Sequence, residues 1–239
     1  MGFVLADIAK YAYNGEQPFN EKLSNLRLMM LGQSSYIHLV AREDSPINSV
    51  NDFKGRRIAA GAPGSSISMV VIPGILKAYG LSYDDVNKYF LNMKETTDAL
   101  SDKTVDIGVY FAGIPAAGVS ELATSRNIKL ISIDQEAMTR ILKNFPFLHS
   151  GVIKSGTYKN VNKDINVIGV RTAILTSSEV PEDTIYQILK AVHSHQDEWK
   201  QIHPGAEEFK PEVLAREYAG IMPLHPGAEK YLKEIGLIK

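Results

Sequence analysis

The sequence predicts an α/β fold, and three observations carry that prediction. Apolar strand-like runs alternate with amphipathic helical runs along most of the 239 residues. Several strand-like runs end in small residues that open a helix, as in Arg57-Ile58-Ala59-Ala60 followed by Gly61-Ala62-Pro63-Gly64-Ser65-Ser66. The composition is that of a globular chain able to bury a core, with 44% hydrophobic and 22% charged residues.

The elements follow in order. Gly2-Phe3-Val4-Leu5 reads as a buried strand, and the helical stretch Asp7 to Tyr13 comes directly after it. Further strands are expected at 26–31, 37–42, 57–60, 105–110, 128–133 and 167–175. Helices are expected at 65–79, 95–101, 115–124, 134–144, 181–201, 211–218 and 227–235. Pro73 falls inside the first of these, so that helix should kink or restart there. Pro181 with Glu182 and Asp183 marks a helix start, where the dipole favours acids. Ile185, Ile188, Leu189 and Val192 then share one face. The runs 37–42 and 167–173 are the expected crossings between two lobes, which would grip a ligand with the loops at their strand ends.

Charge and composition narrow the function. A net charge of −1 gives no electrostatic case for nucleic acid or anionic membrane. The absence of cysteine excludes disulfides, thiolate catalysis and Cys-ligated metals. No apolar run approaches the roughly 18 residues that cross a bilayer, so no direct membrane insertion is expected. The first residues lack the basic region of a signal peptide. A strand at the very start suggests that sequence has been lost upstream.

The loop Gly61 to Ser66 is the strongest local signal. Small residues let a ligand approach the backbone, and N–H groups with serine hydroxyls at a helix start bind carboxylate or phosphate. The alternative is an ordinary turn with a serine cap. The loop is neither a P-loop nor a dinucleotide fingerprint, because the Lys and the glycine spacing are missing. The run Val105 to Tyr110 leads into Phe111-Ala112-Gly113-Ile114-Pro115, which lines either a cleft or the core. His193 with Asp197, or His195 with Glu198, shares a helix face, and a solvated surface explains both better than a metal does. His203-Pro204 and His225-Pro226 read as turn punctuation. No metal or cofactor is expected. No nucleophile elbow or zinc-protease motif occurs, so the chain is read as a binding protein and not an enzyme.

Many segments, in order, resemble the TAXI solute receptors of tripartite ATP-independent periplasmic (TRAP) transporters. They include Asp7 through Tyr13-Asn14-Gly15, Tyr36-Ile37-His38-Leu39-Val40 and Asn51-Asp52-Phe53-Lys54-Gly55-Arg56-Arg57-Ile58. Asp98-Ala99-Leu100, Ala112-Gly113-Ile114-Pro115, Phe145-Pro146-Phe147 and Ser155-Gly156-Thr157-Tyr158 follow. Val180-Pro181-Glu182-Asp183-Thr184-Ile185-Tyr186 and Pro223-Leu224-His225-Pro226-Gly227-Ala228 complete the pattern.

The resemblance implies a type II periplasmic-binding fold, with two doubly wound lobes joined by a hinge. Lobe I would hold 1–42 plus 169–239, lacking its N-terminal part, and lobe II would hold 43–168. It further implies a monomeric, extracytoplasmic receptor that hands a small anion, such as glutamate or a dicarboxylate, to the permease subunits of a TRAP transporter. The expected contacts are Asp7, Tyr36, Gly64, Ser65, Ser66, Phe111, Ala112, Gly113, Tyr158 and Arg171. Two departures stand out. Leu5-Ala6 replaces the Gln-Ser that often precedes Asp7 in the family, and Pro73 is unusual. A truncated, non-binding remnant and an enzyme on the same fold are the competing readings. The coding sequence upstream of Met1 separates the remnant from the receptor.

Overall fold

The computed structural model describes residues 1–202 and 204–239, so the turn expected at His203 lies outside the described residues. It has eight strands, β1 (Gly2–Leu5), β2 (Leu26–Arg42), β3 (Arg57–Ala59), β4 (Asn87–Tyr89), β5 (Ile107–Ala112), β6 (Ile128–Leu130), β7 (Leu148–Ile153) and β8 (Ile165–Ser177). The helices are α1 (Ala6–Asn14), α2 (Ile72–Ala78), α3 (Met93–Ser101), α4 (Ala117–Ser125), α5 (Gln135–Asn144), α6 (Glu182–Ser194), α7 (Gln196–Ile202), α8 (Pro211–Glu217) and α9 (Pro226–Glu234). The α/β class is therefore as the alternating pattern predicts.

The chain divides into two compact units. The first holds Met1–Ser34, Pro146–Leu148 and Val170–Lys239, and the second holds Ser35–Phe145 and His149–Gly169. The long strands β2 and β8 contribute to both.

In the first unit the strand order is β1-β8-β2. β1 is antiparallel to β8, with Gly2 opposite Leu175 and Leu5 opposite Thr172. Helix α1 buries Ala6, Ala9 and Ala12 and ends at Gly15, whose φ of 68° is the left-handed conformation that glycine adopts most readily. Helices α6 and α9 pack closely because Gly227 has no side chain. A Cβ there would collide with the Glu182 carbonyl oxygen. His225 caps α9: its Nδ1 accepts the Gly227 N–H at 3.1 Å and its Nε2 donates to the Val180 carbonyl at 3.0 Å.

In the second unit the order is β2-β5-β3-β4. β2 is antiparallel to β5, with Tyr36 opposite Ala112 and Ala41 opposite Ile107. β3 is parallel to both β5 and β4. Arg57 pins this register through its partner Asp106: Nε donates to Oδ2 at 3.0 Å, Nη2 to Oδ1 at 2.7 Å, and the Arg57 backbone N–H to Oδ2 at 2.9 Å. The hydrogen bonds from Arg57 hold the Asp106 carboxyl below the usual carboxylate range. The core packs Val40, Tyr110, Val119, Leu122, Ile153 and Val167.

Several elements differ from the expected ones for identifiable reasons. The two strands expected at 26–31 and 37–42 are one strand of 17 residues. Gly32 breaks the sequence pattern but not the strand, because the Phe209 ring fills the place of its missing side chain. The helix expected at 65–79 becomes a π-helical stretch, Ile67–Val71, followed by α2, with Pro73 in the first turn of α2. The helix expected at 181–201 breaks at His195. There Ser194 Oγ and His195 Nδ1 both reach the Ala191 carbonyl, at 3.0 and 2.8 Å, in competition with the backbone ladder. The short strand β4 and the strand β7 were not among the expected elements; β7 runs unbroken through Gly151, over which the Tyr36 ring packs.

Candidate functional site

Three loops of the second unit meet at one sheet edge. β4, β3 and β5 run parallel, so their C-terminal ends point the same way. Those ends lead into Phe90-Leu91-Asn92, Ala60 to Ser66 and Phe111 to Ala116, and each loop opens a helical segment. β2 is antiparallel to β5 and starts its second-unit stretch at the same edge with Tyr36, opposite Ala112. Tyr36, Gly64, Ser65, Ser66, Phe111, Ala112 and Gly113 are therefore brought to a common edge. That edge is where open parallel sheets bind ligands. Neither Tyr36 nor any of these loop residues carries a charged side chain. Its donors are backbone N–H groups and hydroxyls at helix starts; the Tyr36 ring packs over Gly151 and edge to face with His149, ring centroids 5.6 Å apart, and Phe90 packs edge to face with Tyr83 at 6.2 Å.

The central loop is tightly built. Gly61 and Gly64 have φ of 91° and 69°, a region in which glycine avoids the strain that other residues meet. Ser65 Oγ donates to the Ala62 carbonyl at 2.8 Å and accepts the Ser68 N–H at 3.2 Å. The Ser65 proton thus serves the loop itself, which makes Ser65 a cap first and a ligand contact second. Gly64 is exposed and Ser66 half-buried. On the neighbouring loop, Asn92 and Glu95 form a reciprocal capping box at the start of α3.

Behind the edge lies a buried chain of hydrogen bonds that the sequence reading did not anticipate. Tyr158, expected as a ligand wall, is 2% exposed. Its hydroxyl oxygen accepts the Ala116 N–H at 2.7 Å and its proton goes to His38 Nε2 at 2.8 Å. His38 Nδ1, the protonated nitrogen in this scheme, donates to the Tyr36 carbonyl at 3.0 Å. The chain links the start of α4 to the strand residue at the site, so Tyr158 acts by positioning the Phe111 to Ala116 loop. A histidine in an apolar alternating strand was the one signal for it.

Burial pushes the His38 imidazole below its usual range, against the opposing effect of its backbone hydrogen bonds. Burial lowers His193 and His225 in the same way. For these groups the unfolded chain takes up protons near pH 6.5 while the folded chain does not, so unfolding gains protons as pH falls. Their stabilising contribution is complete above about pH 6.5 and is lost below it, towards the depressed folded values. Urea unfolding at pH 7.5 and 5.5 is expected to show lower stability at pH 5.5. Equal or greater stability at pH 5.5 would contradict the neutral, buried assignment.

The two remaining expected contacts belong to the first unit. Asp7 is fully buried in the first turn of α1. Burial, with the Asp7 and Glu16 charges adding to it, pushes the Tyr11 phenol up to about 12. Arg171 is 8% exposed and held by two carboxylates. Its Nε donates to Glu217 Oε2 at 2.6 Å, its Nη2 to Glu217 Oε1 at 3.3 Å, and its Nη1 to Glu208 Oε2 at 3.0 Å and to Ser34 Oγ at 3.1 Å. The guanidinium is thus engaged on every nitrogen within its own unit.

Among the described residues, no three His, Asp or Glu side chains gather into a metal-holding group, and no helix is long and apolar enough to cross a membrane. The model of the NMT1-like family matches residues 1–236. The fold is similar to that of the periplasmic aliphatic sulphonate binding protein SsuA from Escherichia coli, with a TM-score of 0.51 and 15% identity, over 97% of this chain and 64% of that one. It is also similar to a structure described as a periplasmic transporter, with a TM-score of 0.50 and 10% identity, over 98% of this chain and 72% of that one. The chain spans less than two thirds of the length of the SsuA structure.

Proposed function

The chain belongs to the NMT1-like family, and on that premise we propose that it is an extracytoplasmic solute receptor of the TAXI kind. It binds a small carboxylate-bearing solute, an amino acid such as glutamate or a dicarboxylate, and delivers it to the permease subunits of a TRAP-type transporter. The convergence of three strand-end loops with Tyr36 at one edge of the second unit carries this reading. Neutral donors at helix starts suit a carboxylate. In this proposal Gly64, Ser66 and Gly113 contact the anion, and Tyr36, Phe111 and Ala112 shape the wall. Tyr158 and Arg171 act as positioning residues. The arrangement suits capture and not catalysis, since it pairs no nucleophile with a base.

A thermal-shift screen of amino acids, dicarboxylates and alkanesulfonates tests the reading, because a ligand that binds only the folded state raises the melting temperature. The Ser65→Ala/Ser66→Ala double variant is expected to weaken the best hit by about 1–3 kcal/mol. Ser65→Ala alone is expected to cost about 1 kcal/mol of stability through its lost cap. Unchanged affinity in the double variant would place the solute elsewhere.

A further inference from the structure

We propose that Tyr83 is a positioning residue of the solute site, its hydroxyl standing in for a backbone donor that Pro73 removes from the helix behind the Gly61 to Ser66 loop. The inference rests on the reading above, in which that loop contacts the anion. Every group involved belongs to the second unit.

The need for a donor begins at Pro73. In a regular α-helix the Ser68 carbonyl would accept the N–H four residues on, that of Ile72. In a π-helical stretch it would accept the N–H five residues on. The Ile72 N–H goes instead to the Ile67 carbonyl, and residue 73 is a proline with no N–H to give. Ser68 thus loses both helical donors, and it is only 1% exposed, so water does not replace them.

The Tyr83 hydroxyl supplies the missing donor, 2.5 Å from the Ser68 carbonyl oxygen. Burial pushes the phenol up to about 12, so it keeps the proton it donates at neutral pH. Ser68 in turn holds the loop. Its hydroxyl lies 2.9 Å from both the Ala62 and the Ser65 carbonyl oxygens, and its N–H donates to Ser65 Oγ at 3.2 Å. Tyr83 therefore acts on the loop through Ser68.

The Tyr83 ring is itself fixed. It sits in a short 3₁₀ turn, Tyr83–Asp85, closed by a capping box between Ser82 and Asp85. The Phe90 ring meets it edge to face at 6.2 Å, and the Lys88 ammonium stands 5.3 Å from its centroid. Phe90 lies on the loop between β4 and α3. One side chain thus touches both that loop and the helical stretch behind the anion loop, as the supporting shell of a preorganised site does.

Tyr83→Phe removes the hydroxyl and keeps the ring. In the ligand-free chain the Ser65, Ser68 and Met69 amides are expected to exchange hydrogen roughly tenfold faster, with the Glu95 amide of the neighbouring capping box unchanged. Affinity for whichever of glutamate, succinate and ethanesulfonate the parent binds should fall by about threefold or more. Tyr79→Phe removes a hydroxyl that accepts the Asp134 N–H at 3.0 Å, at the far end of α2. It should lower stability and leave both readouts unmoved. Pro73→Ala returns an N–H to residue 73, and beside it Tyr83→Phe should change either readout by less than about twofold. Unmoved exchange in Tyr83→Phe, the same change in Tyr79→Phe, an undiminished effect beside Pro73→Ala, or unchanged affinity for an anion that the parent binds would each overturn the proposal. A parent that binds none of the three anions would overturn the solute reading, and the exchange rates would still decide whether Tyr83 sets the loop.

Discussion

Replacing Arg171 by methionine is expected to destabilise the first unit by about 3 kcal/mol, the low end of the range for breaking a buried ion pair. Methionine retains much of the volume but leaves Glu208 and Glu217 facing each other without the cation that joins them. Arg216 offers Glu217 a second partner, and the Glu208 side chain is 34% exposed, so water recovers part of the loss. The damage should extend to both long strands, because Ser34 of β2 and Arg171 of β8 share the Glu208 carboxylate. Urea unfolding followed by Trp199 emission reads the result, since Trp199 belongs to the same unit. A loss below about 1 kcal/mol, the scale of an exposed pair, would mean that the cluster is better solvated than its geometry indicates.

Tyr158→Phe is expected to cost about 2 kcal/mol, from two buried groups losing their partner. Removing one oxygen strands the Ala116 N–H and His38 Nε2 together. The ring packing is unchanged, so the effect isolates the hydrogen bonds from cavity formation. Because Ala116 immediately precedes α4 and closes the Phe111 to Ala116 loop, the variant should also weaken solute binding without touching the solute. A variant as stable as the parent, with unchanged solute affinity, would show that the network does not position the loop.

The fold was legible where local chemistry decides it. Strand-to-helix junctions such as Ala59 to Ile67 and Ala112 to Ala117 carry glycine, proline and serine at the positions their backbones require. The shared edge of Gly64 to Ser66 and Phe111 to Gly113 follows from loops after parallel strands, whereas Tyr36, expected in lobe I with residues 1–42, falls in the second unit, which begins at Ser35. Partners far apart in the chain were not legible. Nothing around Gly32 announces that Phe209 covers it, and nothing around Arg171 announces Glu208 and Glu217, 37 and 46 residues away. Tyr158 and Arg171 look like ligand contacts because of their donors. Only tertiary structure shows that those donors already have protein partners.

The most direct test of the receptor reading follows individual amide resonances of the ¹⁵N-labelled chain during titration with glutamate, succinate and ethanesulfonate. The account predicts that at least one of these anions shifts the Gly64, Ser65, Ser66 and Gly113 signals together and saturably. Shifts confined to other residues, or none with any of the three, would contradict it.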